Sequence, residues 1–439
     1  MPRPFVLLQI HCPPLWSQCR KGTGFRRALN LSKFILVLSS LIGLTQQGLA
    51  LPLITGKEIK ISPVNQTNLP QQKRFKDNRS ENPQESPQEK PWTVEWNLEI
   101  SGGESKWATR ATTRGEFSSN LKARYRPSSF IELNMHPVLR FETGSKSAFS
   151  TDDSLNANYE QVDAKRSDPA NLRLLQASVK FNAFDYASAE LGILEQEHFL
   201  TDRLGWLGGR GRAGYLTGPY QGFLYGEQMI VSTLNYSSQL QEVDKTPALH
   251  RAGIEGKITI AGLLDVRIGA GKFSFVELPD AIATESAFRG NLVDSTSMGH
   301  YQFKSQFEGS ELFTQVSVLV IPSVRLYLDG DYITNESAHD DHGHGWRAKS
   351  GAEFGVTQNI RTSIEYTQFM IEPDARLSAF ASLGTNIVGS RIANYWNFRK
   401  EKLRVGIAAI ESEPIYKMPL MEENRQIWLT VETDYAKIF

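Results

Sequence analysis

From Trp92 to the end of the chain, apolar and polar side chains alternate with a period of two. Residues 92–100 and 427–433 are two examples, with tryptophan, leucine, isoleucine or valine at every second position and mostly polar or charged residues between them. Because successive side chains of a β-strand point to opposite faces, this pattern predicts strands with one apolar and one polar face. Helical periodicity is weak over the same region, which argues against an α or α/β domain.

The connections between these segments alternate in length. Short links are predicted at 182–185, 322–323 and 358–359, and long polar links at 143–170, 274–298, 334–345 and 411–426. Gly102-Gly103 is predicted to form a further turn, whereas 205–236 and 376–399 are interrupted by glycine and fit the alternation poorly. The segments number about 14 to 16, each near the ~10 residues of a tilted membrane strand.

A soluble β-sandwich and a membrane barrel both use alternating strands. In water the apolar face is buried in a core, whereas in a bilayer it faces lipid and the charged face lines the lumen. The even charge loading and the terminal aromatic residue Phe439 favour the barrel. We therefore predict an all-β fold, a transmembrane antiparallel β-barrel of about 14 to 16 strands with short periplasmic turns and long external loops.

The chain before this region divides into two parts. Residues 1–50 have basic residues, an apolar run at 34–44 and small residues at 48–50, the order of a secretory signal peptide. The basic stretch begins at Arg20, so translation is expected to start downstream of Met1. Residues 51–91 are rich in proline and glutamine and predict a disordered periplasmic linker. The barrel is assigned to 92–439.

Removal of the predicted signal peptide changes the chemistry of the chain. Cys12 and Cys19 are the two cysteines and both lie within it, so the mature chain would have no disulfide or thiolate site. Six of the 48 basic residues and none of the 48 acidic residues also lie there, which leaves 42 against 48. The resulting net charge of −6 gives no support to nucleic-acid binding.

The polar faces of the first three strands supply the candidate pore-lining residues. They are Arg110, Arg114, Lys122, Arg124, Arg126, Glu95, Glu99 and Glu132. A barrel of this width is not filled by its own side chains, so its lumen is expected to hold water. Facing basic and acidic rows would then influence which solutes pass. The alternative is that these charges pair across neighbouring strands and only stiffen the wall.

Two further motifs have weaker interpretations. His339, His342 and His344, with two aspartates between them, could bind a divalent metal, although a solvated external loop explains the same composition. Residues 208–214 contain the glycine spacing of a phosphate loop without its strand-then-helix context or its lysine and hydroxyl residue. We interpret those glycines as a turn, a bulge or an inward-folded loop.

The signal peptide, the alternation over 92–439 and the terminal Phe439 together resemble Gram-negative outer-membrane porins. Residues 191–196 with 208–210 are also similar to segments of substrate-selective or alginate-export-like porins. The resemblance implies an outer-membrane channel for passive diffusion of small hydrophilic solutes or ions, without cofactor or catalysis. It also implies contact with outer-membrane lipid, recognition of the closing strand by the barrel-assembly machinery, and a homotrimer.

Two other functions remain open at this stage. An outer-membrane enzyme, of the phospholipase or protease type, needs a nucleophile or water activated by histidine and a carboxylate. His136, His198 and His250 stand isolated in the sequence, so no such group is evident. The third possibility is a structural or adhesive barrel whose pore is plugged by an inward loop.

Overall fold

The computed structural model describes most of the chain from residue 91 onward. The described residues are 91–107, 111–144, 170–184, 186–196, 199–201, 204–231, 246–260, 262–287, 289–297, 300–339, 342–381, 384–417, 421–433 and 436–437. They belong to one compact unit, Glu85–Phe439. The predicted signal peptide, the predicted linker up to residue 90, Arg110, His198 and Phe439 lie outside the described residues.

Antiparallel strands make up nearly all of this unit. They are β1 (Trp92–Trp107), β2 (Ala111–Tyr125), β3 (Ile131–Gly144), β4 (Ala170–Phe184), β5 (Ala187–Gln196), β6 (Leu204–Thr217), β7 (Tyr220–Ile230), β8 (Ala248–Ile260), β9 (Leu264–Val276), β10 (Val293–Ser297), β11 (His300–Phe303), β12 (Phe307–Ile321), β13 (Val324–Asn335), β14 (His344–Gly355), β15 (Ile360–Ile371), β16 (Ile387–Phe398), β17 (Leu403–Pro414), β18 (Asn424–Thr433) and β19 (Ala436–Lys437). A helix, α1 (Asp280–Ala287), and a 3₁₀ turn (Ser378–Phe380) lie between strands. Among the described residues, no helix has the length and apolar character needed to cross a bilayer.

The strands close into a barrel. Consecutive strands pair antiparallel from β1 to β9 and from β12 to β18. β9 pairs with β12, and β1 pairs with β2 on one side and with β18 and the short β19 on the other, which closes the barrel. The sixteen strands β1–β9 and β12–β18 therefore form the wall, and β10 and β11 form a separate hairpin. Closure leaves no open edge, so the backbone groups of the wall are satisfied by neighbouring strands. The prediction of an all-β antiparallel barrel is confirmed, at the upper end of the predicted strand number.

The two ends of the barrel differ in the length of their connections. At the turn end, where β1 begins, the links are 126–130, 185–186, 218–219, 261–263, 322–323, 356–359 and 399–402. At the loop end, the long connections include 145–169, 231–247, 277–306, 336–343, 372–386 and 415–423. This asymmetry agrees with the short turns and long loops expected from the sequence.

The outer face of the wall is apolar. Ile100, Leu172 and Ile427 are 58%, 73% and 58% exposed there, while Asn97, on the inward face of β1, is only 2% exposed. Large exposed apolar side chains continue around the wall, so the outer surface forms a broad hydrophobic band. A band of this extent is foreign to water-facing surfaces and needs an apolar environment.

Two glycine segments were assigned wrongly from the sequence. Gly102-Gly103 is not a turn, because β1 continues through both residues to Trp107. A Cβ on Gly103 would lie 2.4 Å from the carbonyl oxygen of Ile427, so glycine is needed there for the close approach of β18. Residues 208–214 likewise lie inside the regular strand β6 and form neither a turn nor an inward loop. In both strands glycine marks close packing within the sheet.

Part of the lumen is filled by protein, which the sequence did not decide. At the loop end, inward-facing apolar side chains such as Trp206, Phe275 and Phe369 pack against residues of the connections 277–306 and 372–386. The Trp206 and Phe380 rings meet edge to face at 5.2 Å. We call the described parts of these two connections the loop plug. Its apolar core replaces water over part of the lumen, because inward loops supply the volume that wall side chains cannot.

Candidate functional site

Below the loop plug the lumen contains a cavity of about 1120 Å³. Its lining is rich in ionisable side chains from most of the wall. The basic ones are Arg140, Arg173, Arg210, Arg212, Arg251, Arg267, Arg347, Lys349 and Arg391, and the acidic ones are Glu99, Glu116, Glu227, Glu255, Glu311, Asp329, Asp331 and Glu365. Phe199, Leu200 and Thr201 lie at its loop-end side. A polar, nearly charge-balanced interior inside an apolar outer surface is the reverse of a soluble protein.

The structure places the predicted pore-lining residues at different levels of the wall. Glu99 lines the cavity. Glu95 and Lys122 are directly opposite each other in the β1–β2 pairing, nearer the turn end. Arg124 and Arg126 lie at the mouth of the turn end, with side chains 55% and 52% exposed, and both pair with the buried carboxylate of Glu132.

Arg114 belongs to a buried cluster of ion pairs and not to a row of solvent-facing basic side chains. Its Nη2 atom lies 2.6 Å from Glu142 Oε1, and the same oxygen is 3.1 Å from Arg140 Nε. Arg140 also binds Glu116. Arg173, on β4, is the third arginine here, and its buried Nη2 atom has no hydrogen-bond partner within the described residues. Among the described residues, Arg114 and Arg140 thus share the carboxylates of Glu116 and Glu142, and Arg173 lies within electrostatic range of the same groups.

A repeated arrangement of three side chains organises the rest of the charged wall. In each case an aromatic ring lies directly opposite a glycine of the neighbouring strand, and a cation two residues before that glycine stacks on the ring. The cation–aromatic–glycine stacks are Arg212–Phe223–Gly214, Arg251–Tyr225–Gly253, Arg267–Phe313–Gly269, Lys349–Tyr327–Gly351 and Arg404–Tyr395–Gly406. The cations lie 3.5–5.7 Å from the ring centroids, within the range of a favourable cation–π contact.

The stack at Tyr225 shows how the cation, the ring and the glycine pack together. A Cβ on Gly253 would lie 2.6 Å from Tyr225 Oη, so the missing side chain makes room for the ring. Arg251 covers the ring at 5.0 Å and is held by Glu227 and Glu311. Tyr225 Oη also donates to Glu311 Oε1 at 3.1 Å. Stacking and ion pairing together fix the guanidinium against the wall.

Sequence reasoning missed these stacks, although half of their signal is local. Arginine or lysine precedes glycine by two residues at 212–214, 251–253, 267–269, 349–351 and 404–406. The aromatic partner lies on a different strand, and its position depends on the pairing register, which one sequence does not supply.

The loop plug is held together by buried polar groups. Asn291 Nδ2 donates to the carbonyl oxygens of Pro373 and, at 2.9 Å, of Arg376. Asn291 Oδ1 accepts from the backbone N–H and the hydroxyl of Ser378 at 2.8 and 2.6 Å. One side chain of the first connection therefore satisfies several groups of the second.

Two carboxyl groups are buried in the same region. Asp374 accepts hydrogen bonds from the Leu292 N–H at 2.9 Å and the Ser305 hydroxyl at 3.2 Å. Burial nevertheless raises the pKa of Asp374 above its ordinary value, against the opposing effect of these bonds. Burial also raises the pKa of Glu285, on α1, although Arg289 Nε lies 3.1 Å from Glu285 Oε1.

Two of the candidate metal ligands, His342 and His344, contact different tyrosine side chains. His344 Nδ1 lies 3.0 Å from Tyr332 Oη. His342 packs edge to face on Tyr416. Among the described residues there is no group of three potential ligands close enough to share an ion, and the neighbouring Asp340 and Asp341 lie outside those residues.

The chain was compared with known protein families, curated proteins and solved structures. No protein-family model and no curated protein matches the sequence. Among solved structures, the chain is similar to OprB of Pseudomonas putida with a TM-score of 0.50 and 11% identity, over 78% of this chain and 93% of that one. OmpT, an outer membrane protein of Vibrio cholerae, in its trimer form, gives 0.43 and 8%, over 79% and 99%. OccK2 of Pseudomonas aeruginosa, in complex with glucuronate, gives 0.41 and 10%, over 79% and 98%. The closed sixteen-stranded barrel and the similarity to OprB confirm the resemblance to outer-membrane porins at the level of the fold.

Proposed function

We propose that the chain is an outer-membrane channel for passive diffusion of small hydrophilic solutes or ions. The observation that carries this proposal is the charged cavity of about 1120 Å³ inside a closed barrel whose outer face is apolar. An apolar exterior suits lipid, and a polar interior lowers the cost of moving a hydrated solute across the membrane.

The proposed orientation follows the asymmetry of the connections. The turn end would face the periplasm and the loop end the exterior, as in other barrels with short and long connections. Insertion by the barrel-assembly machinery through the closing strand and assembly as a homotrimer belong to the same proposal. No catalytic role is proposed for the wall: His136 Nδ1 lies 3.0 Å from Glu195 Oε2, a contact that anchors this histidine.

The loop plug favours a second, related function. Its apolar core and buried hydrogen bonds narrow the loop end, so the barrel would conduct weakly until these connections loosen. A permanently plugged structural barrel is the limiting case. The two functions differ in one measurable property, the conductance of the unmodified protein.

Planar-bilayer recording of the purified full-length chain tests the channel. We expect discrete conductance steps from protein whose gel mobility changes on heating, the mark of a folded barrel. Heat-denatured protein at the same concentration is the control and should give no steps. Folded protein that inserts but never conducts would reject the channel and leave the plugged barrel.

Acidification is expected to reduce this conductance through Asp374. Burial raises the pKa of Asp374 in the closed plug, so the closed state binds more protons than a released loop does. Plug stability therefore increases as the pH falls through the raised pKa, and the increase is complete below about 3.9, the ordinary value. Currents recorded at stepped pH should decline for the unmodified protein.

Asp374→Asn should weaken this dependence, since the substituted side chain does not titrate. Glu285, whose pKa is also raised by burial, would retain a residual effect. Glu401→Gln is the control, because Glu401 is an exposed carboxylate in the turn-end link 399–402, at the opposite end of the barrel from the loop plug. Identical pH profiles for Asp374→Asn and the unmodified protein would contradict the assignment to Asp374.

A further inference from the structure

On three neighbouring strands, polar side chains point outward at mid-height of the wall. They are Ser350 on β14, Tyr366 and Gln368 on β15, and Ser390 and Asn394 on β16. Each is next in sequence to a residue that lines the cavity and therefore faces the opposite way, because strand side chains alternate. Ile364 and Ile392 belong to the same outward surface and are 48% and 56% exposed. We call this surface of β14–β16 the polar face.

The outward surface of the other described strands is different at this height. On β3 and β4 it is apolar, with side chains such as Met135 and Leu172 that are 52% and 73% exposed. Gln228 and His250 also point outward, but each lies two residues from the loop end of its strand, where a bilayer meets water. Lys272, four residues from that end of β9, is held in an ion pair. In the described wall, outward carboxamides at mid-height are thus confined to the polar face.

The two carboxamides of the polar face have unused hydrogen-bonding capacity. Gln368 Nε2 donates to Tyr366 Oη at 2.8 Å, and Asn394 Oδ1 accepts from Thr362 Oγ1 at 3.4 Å. Gln368 Oε1 and Asn394 Nδ2 have no partner among the described residues. Hydrocarbon offers neither donors nor acceptors, so contact with lipid leaves both groups unsatisfied. A protein surface with its own donors and acceptors would remove this cost.

A second copy of the chain has the surface that the polar face requires. The spare acceptor of Gln368 in one copy complements the spare donor of Asn394 in the other. The outward positions of residues 346–352, 362–370 and 388–396 have no charged side chain, so two copies would not repel each other. Five strands centred on β15, at ~4.8 Å spacing and about 30 Å of membrane height, give roughly 700 Å², near the ~800 Å² per partner of a stable interface.

We propose that the polar face is the surface through which copies of this chain contact each other within the membrane. Ile364 and Ile392 pack between the copies, and Gln368 and Asn394 form hydrogen bonds across the contact, which are favourable where water is excluded. The apolar outward surface of β3 and β4 is left to lipid. This inference rests on the proposed function in one respect, since it assigns a contact surface to an oligomer whose outer wall lies in a bilayer.

Thiol cross-linking of the purified full-length protein in dilute lipid vesicles tests the contact. The background has Cys12→Ser and Cys19→Ser, so each variant has a single thiol. Ser390→Cys places it on the polar face, and Ala189→Cys places it outward on β5, on the other side of the barrel. We expect bismaleimides of graded length to join the Ser390→Cys protein into a species of twice the mass on a heated denaturing gel, and to leave the Ala189→Cys protein mostly unjoined.

Removal of the carboxamides tests the bonds themselves. Gln368→Leu combined with Asn394→Leu should weaken association in vesicles by roughly tenfold, measured by energy transfer between labelled copies. Gln228→Leu is the matched control, because it makes the same exchange at an outward carboxamide outside the polar face. Heat-modifiable gel mobility shows which variants are folded. If the double variant does not fold, the two cysteine variants decide the question.

The outcomes separate this inference from the channel function. Cross-linking at Ser390→Cys that does not exceed that at Ala189→Cys would overturn the contact, and lipid or a different protein would then cover the polar face. Equal weakening by Gln228→Leu and by the folded double variant would also overturn it. Bilayer recording of the same preparations is independent of these results. Conductance without specific cross-linking rejects the contact alone, and specific cross-linking without conductance rejects the channel alone.

Discussion

Asn291→Ala is expected to increase the conductance of the reconstituted protein several-fold. The Asn291 side chain bonds the carbonyl groups of Pro373 and Arg376 and both donors of Ser378, and the residue is 2% exposed. Alanine would leave these groups buried without partners, at about 1–3 kcal/mol for each group. A loss of this size is enough to shift the connection 372–386 from docked to released in most molecules.

Single-channel recording and hydrogen exchange together check this prediction. The recorded current should become larger and noisier, and amide protection should fall in 372–386 while that of the barrel strands is unchanged. Gln358→Ala is the control, since Gln358 lies exposed in the turn-end link 356–359 and should leave both measurements unchanged. Unaltered conductance with a demonstrably released connection would show that the loop plug does not restrict the channel.

The fold was predictable because alternation depends on single residues and their immediate neighbours. Ile427 and Leu429 face outward and Thr430 faces the cavity, as their positions in the sequence require. Glycine was the main source of error, because its missing side chain can mean either a turn or a close approach. The neighbouring strand decides between the two meanings at Gly103, and that neighbour, β18, comes from the other end of the chain.

The candidate site was predictable only in its residue types. Sequence reasoning placed Arg114 and Glu99 on the inward face but could not identify their partners, because an ion pair depends on register and on bulges such as that between His136 and Pro137. The loop plug could not be predicted from the sequence for a different reason. Its polar bonds join residues such as Asn291 and Ser378 that are far apart in sequence and follow no periodic pattern.

Gly253→Val is expected to destabilise the barrel by about 3 kcal/mol or more, the upper range for side chains forced into a packed space. A Cβ at this position would lie 2.3 Å from the Ala270 carbonyl oxygen and 2.6 Å from Tyr225 Oη. The backbone oxygen cannot move without distorting the β8–β9 pairing, and displacement of Tyr225 would also release Arg251 from its ring. One substitution therefore disturbs the β8–β9 pairing, the position of the Tyr225 ring and the stacking of Arg251 on that ring.

The measurement is the urea midpoint of the folded protein in lipid vesicles, followed by heat-modifiable mobility. Gly226→Val is the matched control on the adjacent strand β7, because a Cβ on Gly226 meets no atom within 4 Å. A clearly lower urea midpoint for Gly253→Val, with little change for Gly226→Val, would show that Gly253 is needed to make room for the Tyr225 ring. Equal decreases in the urea midpoint at both positions would mean that replacing any strand glycine destabilises the barrel. The stacks would then not be needed to explain the stability of the charged wall.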